Sequence, residues 1–213
     1  MPNQNDRMAA PELAAVDIDG MTRGSFIMKG AVAAGAVYGA GAVQPFVKQA
    51  LAQGGGDVDV LNFALTLEYL EAAFYTQALK RVSGLSGEVK ELATTLRDNE
   101  DAHVDALVTA IKSIQGKPVK APGVDFGNAF ASQKSFLKLA QTLEDTGVSA
   151  YNGAAPSIQS PKLLGAAGAI VQVEARHAAA IRSLNGKPIT DSSFDKALNE
   201  DAVLKAVKPF VRA

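Results

Sequence analysis

The chain has 213 residues, of which 47% are hydrophobic and 20% are charged, and its formal net charge at pH 7 is −1. This composition supports one sizeable core, and the balanced charge argues against a phosphate-binding surface for nucleic acid. The absence of cysteine excludes disulfides, a cysteine nucleophile, iron–sulfur clusters and thiolate zinc sites. Any imidazole chemistry must therefore use the two histidines, His103 and His177.

Residues 1–52 are predicted to be an export segment. The basic sequence MTRGSFIMKG precedes the small apolar run AVAAGAVYGAGAV, and small residues follow at positions 50 and 52, as at a cleavage site. The run is too short for a membrane span, which needs about 20 residues. Residues 22–27 resemble a twin-arginine export signal, although Gly24 stands where the second arginine is expected. We expect an exported protein in the periplasm, the cell envelope or the extracellular space; an Ala/Gly helix packed on the main domain, or an uncleaved leader that tethers the protein to a membrane, is the alternative.

Four amphipathic helices are predicted in residues 53–186, because apolar residues recur at the spacing of one helical face. The first begins at Asp57, and the next two run from about residue 88 to 114 and from about residue 128 to 155. Ser160 and Pro161 are typical of a helix start, and Asn185 with Gly186 ends the fourth helix. The Pro/Gly-rich stretch 116–127 is long enough to cross one end of a bundle. Residues 187–213 are predicted to form a tail of short helical pieces on the bundle, including Phe194.

The two halves of this region repeat each other. The sequence AIKSIQGKPV at 110–119 matches AIRSLNGKPI at 180–189, and each half contains one Glu-x-x-His motif. A Leu-Glu pair also precedes a tyrosine by the same interval in both halves. We therefore expect an all-α four-helix bundle made of two helical hairpins related by pseudo-twofold symmetry, with a long crossover between them.

Six polar residues fall on the inward faces of these helices: Glu68, Glu100, His103, Glu144, Glu174 and His177. An unpaired ionised carboxylate in such a core costs several kcal/mol, and four carboxylates close together cannot all stay ionised without a cation. Two divalent ions would balance the four carboxylates and leave two neutral imidazoles as further donors. A sulfur-free set of carboxylates and imidazoles suits iron or manganese and tolerates zinc.

This pattern resembles the ferritin-like di-iron carboxylate superfamily, which includes rubrerythrins and the ferritin-like domains of exported desiccation-related proteins. The resemblance covers about residues 57–186 and rests on the two Glu-x-x-His motifs, each preceded by a helix that carries Glu and, seven residues on, Tyr. It implies two iron ions, or alternatively manganese, bridged by Glu100 and Glu174. The implied terminal ligands are Glu68 and Glu144, with His103 and His177 binding one metal each.

The resemblance also implies redox chemistry with dioxygen or peroxide, either ferrous oxidation or peroxide removal. The expected partners are metal ions and small oxidants, and a homodimer is left open. Without cysteine there is no attached rubredoxin-type centre, so reducing equivalents come from the substrate or from outside. The alternative is a non-catalytic secreted domain that binds metal or protects against stress or desiccation.

Three further residues are candidates for the reaction: Tyr75, Tyr151 and Glu71. On the family pattern, each tyrosine donates its hydroxyl to a ligating carboxylate; the alternative is an ordinary core tyrosine. Glu71 lies one turn beyond Glu68, whereas the matching position of the other hairpin is Gly147. Glu71 is interpreted as a seventh ligand, as an ion-access residue or as a solvated side chain, and Gly147 as room for a small oxidant or for close helix packing.

Overall fold

A computed structural model describes residues 56–212 of the chain as an all-α fold. Its elements, in order, are α1 (Asp57–Arg81), α2 (Gly87–Ser113), β1 (Gly123–Val124), α3 (Gln133–Ala154), α4 (Pro161–Leu184), α5 (Glu200–Val207) and β2 (Val211–Arg212). Short 3-10 turns cover Gly127–Ala131, Ala155–Ser157 and Lys208–Phe210. The predicted export segment, residues 1–52, lies outside the described residues. Within the described part of the chain, no helix combines the length and apolar character needed to cross a membrane.

Serine side chains define where three of the four long helices begin. Ser86, Ser132 and Ser160 each accept a hydrogen bond from a backbone N–H in the first turn of α2, α3 and α4. Such caps satisfy donors that the helix itself leaves without partners. The helix start predicted at Ser160 and Pro161 is therefore confirmed.

Helix α3 begins five residues later than the sequence pattern predicts. Residues Gly127–Ala131 form a 3-10 turn instead, and Ser132 is extended before the helix starts. The turn buries Phe130, which packs beside Phe126 and Phe74 with ring centroids 5.1–5.7 Å apart. This aromatic contact anchors the end of the crossover to α1, and it explains why the apolar pattern begins before the helix does.

The four long helices form two hairpins, α1 with α2 and α3 with α4, joined by the crossover between α2 and α3. Helix α1 also contacts α3, and α2 contacts α4. Buried apolar residues form two clusters, one around Phe74 and Phe136 and the other around Leu65 and Ile111. The buried glutamates lie on the helices between residues of these two clusters, so the polar layer has apolar packing on both sides.

The C-terminal tail pairs with the crossover and contacts α3. Strands β1 and β2 pair antiparallel, and Arg212 forms an ion pair with Asp125 at 2.9 Å. The backbone N–H of Leu198 donates to the carbonyl of Ser149 at 2.9 Å.

The tail is helical only at α5 and its following turn, so the expectation of several packed helical pieces is only partly met. Phe194, expected to pack on the bundle, is 79% exposed. The reason is local, since Thr190 and Ser192 close a hydrogen-bonded turn here that does not follow a helical period.

Candidate metal centre

Six side chains from all four long helices meet in the polar layer of the bundle. Helix α1 supplies one glutamate and α3 another, while α2 and α4 each supply one Glu-x-x-His motif. All six residues are buried, and the four glutamates are 0% exposed: Glu68, Glu100, His103, Glu144, Glu174 and His177. The structure therefore brings together every residue that the sequence pattern placed on the inward faces.

The six residues form two overlapping groups of four. One group contains Glu68 and His103, the other contains Glu144 and His177, and both include Glu100 and Glu174. Within each group, one potential ligand atom per residue lies within 4.8 Å of the others. The two shared glutamates are the residues to which the family resemblance assigns bridging roles.

Each histidine directs its Nδ1 atom towards three carboxylates. His103 Nδ1 lies 2.9 Å from Glu174, 3.1 Å from Glu100 and 3.2 Å from Glu68. The corresponding distances for His177 Nδ1 are 3.0 Å to Glu100, 3.4 Å to Glu144 and 3.7 Å to Glu174. The two imidazole rings are nearly parallel, with centroids 6.1 Å apart. Each half of the site thus places one nitrogen close to three carboxylate oxygens.

The electrostatics of the cluster are those of a site that needs positive charge. Burial alone lowers the pKa of both imidazoles, but close contacts with Glu100 and the other carboxylates outweigh it and raise the pKa of each to about 12. Burial raises the pKa of Glu68 well above its ordinary value and that of Glu144 to about 8. Burial acts in the same direction on Glu100, but its close contacts with both histidines lower its pKa to about 2.

The cluster also contains buried atoms that lie close to one another but make no well-oriented hydrogen bond. Within the described residues, five such atoms belong to it: Oε1 of Glu100, Oε2 of Glu144, both carboxylate oxygens of Glu174 and Nδ1 of His177. Buried polar atoms are nearly always satisfied, so a concentration of orphans points to a missing ligand. Carboxylates and imidazoles without sulfur are the donors that iron and manganese take. The residues therefore fit a transition-metal site.

The two candidate tyrosines form a reciprocal pair of contacts between the hairpins. The hydroxyl of Tyr75 on α1 donates to Glu144 on α3, and that of Tyr151 on α3 donates to Glu68 on α1. This crossed pairing requires α1 and α3 to run antiparallel. Burial and the neighbouring glutamate raise the pKa of each phenol well above its ordinary value, so both keep their protons and orient a carboxylate.

Glu71 is a fifth buried carboxylate of the same cluster, not a solvated residue, since it is only 3% exposed. A Cβ atom at Gly147 would lie 3.2 Å from Glu71 Oε1 and 3.7 Å from Glu174 Oε2. The missing side chain of Gly147 thus leaves room for the carboxylate of Glu71. Burial raises the pKa of Glu71 well above its ordinary value, and the charges of Glu174 and Glu144 act in the same direction.

The motif pattern did not reveal Asn99, whose amide lies 3.0 Å from Nε2 of His177. Asn99 directly precedes Glu100 and reaches across from α2 to α4. The nearby Asp98 and Asp101 on the same helix are exposed. A comparison of the two halves could have revealed Asn99. The residue at the matching position, directly before Glu174, is the apolar Val173.

Comparison with known proteins agrees with this architecture. A family model described as a ferritin-like domain matches residues 56–187, which is more than half of the chain and includes α1 to α4. No curated protein matches the chain. The matched region contains every residue of the buried cluster. The chain therefore belongs to the ferritin-like domain family.

Proposed function

We propose that this chain is an exported ferritin-like protein that binds a dinuclear iron or manganese centre and uses it for redox chemistry with dioxygen or peroxide. The reaction is either the oxidation of ferrous iron or the removal of peroxide. The observation that carries the proposal is the pair of overlapping ligand groups that share Glu100 and Glu174. A single metal would need only one of these groups, whereas two metals use both and balance four carboxylates.

The chain's own residues would hold the centre as follows. Glu100 and Glu174 would serve both metal positions, because each carboxylate approaches both histidines. Glu68 and Glu144 would be terminal ligands, and His103 and His177 would each bind one metal through Nδ1, the ring nitrogen that faces the carboxylates. Two bound ions would supply Lewis acidity and exchangeable electrons to a small oxidant.

Three neighbouring residues would adjust this centre. Tyr75 and Tyr151 hold the terminal carboxylates in orientation through their hydroxyl groups. Glu71 is buried among the other carboxylates, and this burial raises its pKa well above its ordinary value. We assign Glu71 the role of a proton donor or seventh ligand beside the second group.

The stoichiometry of bound metal tests the dinuclear assignment. Elemental analysis of the protein produced with ample iron and manganese is expected to find two transition-metal ions per chain. Glu100→Ala and Glu174→Ala should each lose both ions, because each removes a bridge. Asp101→Ala is the matched control, since Asp101 adjoins Glu100 on α2 but is exposed. Full metal retention in both bridge variants would contradict the assignment.

Turnover separates the redox function from a non-catalytic role. The metal-loaded protein is expected to consume ferrous iron with dioxygen, or peroxide with a reductant, faster than the Glu100→Ala variant. Metal that binds with the expected stoichiometry but supports neither reaction would favour a metal-binding or stress-protective domain.

Export is a separate part of the proposal and rests on residues 1–52. The N-terminal sequence of the mature protein isolated from its own cells tests it. A mature chain that begins near residue 53 and lies outside the cytoplasm is the expected result, whereas an intact N-terminus on a cytoplasmic protein would contradict it.

A further inference from the structure

The two halves of the centre are not equivalent, although the ligands repeat. The side-chain amide of Asn99 on α2 lies 3.0 Å from Nε2 of His177, the ring nitrogen that faces away from the carboxylates. The residue in the same place relative to the other motif is Val173, directly before Glu174. An aliphatic side chain can neither donate nor accept a hydrogen bond, and among residues 56–212 the hydrogen bonds of His103 use Nδ1 alone, so this polar support is found in one half only.

Metal binding by His177 would determine which atom of the contact with Asn99 donates the hydrogen bond and which accepts it. Nδ1 of His177 points at the carboxylates, so a metal bound there leaves the ring proton on Nε2. That N–H needs an acceptor, which the side-chain oxygen of Asn99 provides. The structure places the amide nitrogen against Nε2, and a half-turn of the planar amide puts the oxygen in the same place.

The two imidazoles also differ in their distance from solvent. The side chain of His103 is 11% exposed, against 3% for that of His177. A ligand whose second nitrogen is hydrogen-bonded keeps its ring orientation and gains basicity, whereas a ligand near water is more easily displaced. The lower exposure and the additional hydrogen bond thus both belong to the His177 half of the centre.

We propose that Asn99 is a positioning residue that makes the His177 metal position the tighter one and leaves the His103 position as the exchangeable one. This inference rests on the proposed dinuclear centre. It assigns the exchangeable position to the side on which an incoming ferrous ion would be bound or released. The tight position keeps its ion and holds the two shared glutamates in place.

Metal titration of matched variants tests the inference. Cobalt(II) added to the metal-free full-length protein is expected to bind in two steps of unequal affinity. Asn99→Val, which copies the other half, should weaken the tighter step about 10–100-fold and leave the other step unchanged. Asn99→Asp retains an acceptor and should preserve the tighter step. Val173→Asn, the reciprocal variant, should strengthen the weaker step.

A spectroscopic readout distinguishes positioning from general structural support. In the cobalt(II)-loaded protein, the Nε2–H protons of the two ligand histidines give shifted proton resonances. The proton of His177 is expected to exchange with solvent more slowly than that of His103. Asn99→Val should accelerate the exchange of one resonance only, while the metal-free variant keeps the helical circular dichroism of the parent protein.

Each outcome is decisive. If Asn99→Val leaves both affinities and both exchange rates unchanged, or weakens both steps equally, the inference is wrong while the dinuclear centre stands. If the parent protein binds no cobalt, iron or manganese, the proposed function itself fails and the inference fails with it.

Discussion

Glu100 contacts both imidazoles, with one oxygen 3.1 Å from His103 Nδ1 and the other 3.0 Å from His177 Nδ1. In a buried site these contacts need positive charge, and without a metal the charge comes from protons. The pKa of each imidazole is raised to about 12, so both are protonated at neutral pH. The same nitrogens must lose their protons to bind a metal, so protons and metals compete for one set of atoms.

Metal loading at pH 7 is therefore expected to release at least two protons per chain, one from each histidine. The raised pKa of Glu68 and the pKa of about 8 at Glu144 favour release of further protons. Because protons are products, the apparent affinity for metal should fall as the pH is lowered. A pH indicator in weakly buffered solution measures the release, with Glu100→Ala as the control. Metal uptake without proton release would contradict the protonation state described here.

At the scale of the residue, the sequence predicted the cluster because its pattern is redundant. Two Glu-x-x-His motifs and two Glu–Tyr intervals agree on one inward face, and the only two histidines fall in both motifs. Asn99 was missed because it stands between exposed Asp98 and exposed Asp101 and follows no hydrophobic period. Its role depends on a contact between α2 and α4, which no local pattern encodes.

At the scale of the element, a side chain of α1 determines which residue can stand in the middle of α3. Gly147 lies in the middle of α3, where glycine costs about 1 kcal/mol relative to alanine. The cost is evident from the sequence, but its cause is not. The sequence is compatible both with room for a small oxidant and with close helix packing. The structure supplies the cause, since the carboxylate of Glu71 on α1 occupies the space that a Cβ at this position would approach.

Gly147→Ala is expected to stabilise the metal-free protein less than its helix propensity allows. The new Cβ would lie 3.2 Å from Glu71 Oε1, so the carboxylate must shift and part of the gain is lost. In a Glu71→Ala background that obstacle is gone, and the full gain of about 1 kcal/mol should return. The free energy of unfolding, measured with denaturant for both single variants and the double variant, gives the coupling.

Gly168→Ala in α4 is the control for that cycle, because a Cβ there would meet nothing within 4 Å. It should stabilise the protein equally in both backgrounds. Equal effects of Gly147→Ala in the two backgrounds would show that Glu71 does not depend on the space at Gly147.

Helix bounds show the same division between what local sequence encodes and what packing decides. The caps at Ser86 and Ser160 are local, and the predicted starts of α2 and α4 agree with the structure to within one residue. The start of α3 is not local, because Phe130 is drawn into the aromatic cluster around Phe74 and keeps its segment in a 3-10 turn. Phe194 packs against neither apolar cluster of the described residues and is left exposed.

At the scale of the whole molecule, the polar layer separates two apolar clusters and is stable only if its charge is balanced. The hairpin repeat in the sequence was sufficient to predict the all-α bundle, because each half must bury its own apolar face against the other. It could not predict the pairing of β1 with β2, which joins the crossover in the middle of the described chain to its C-terminal end. Protons on the histidines can therefore balance the charge when the bundle folds without metal, but a cation would also provide a partner for the orphaned oxygens at its centre.

Removing the metal is consequently expected to lower the stability of the whole bundle and not only to abolish activity. An ion that binds the native chain but not the unfolded one stabilises it by about 2.7 kcal/mol per site at a free concentration 100 times the Kd. For a domain of this size that corresponds to a rise of roughly 5–10 °C in Tm. Thermal unfolding of the metal-free protein at increasing manganese(II) concentrations measures the shift. The Tm of Glu100→Ala should not depend on metal, because this variant lacks the oxygens that approach both histidines. If the Tm of the parent protein is unchanged by manganese and by iron, the buried carboxylates are balanced by protons alone.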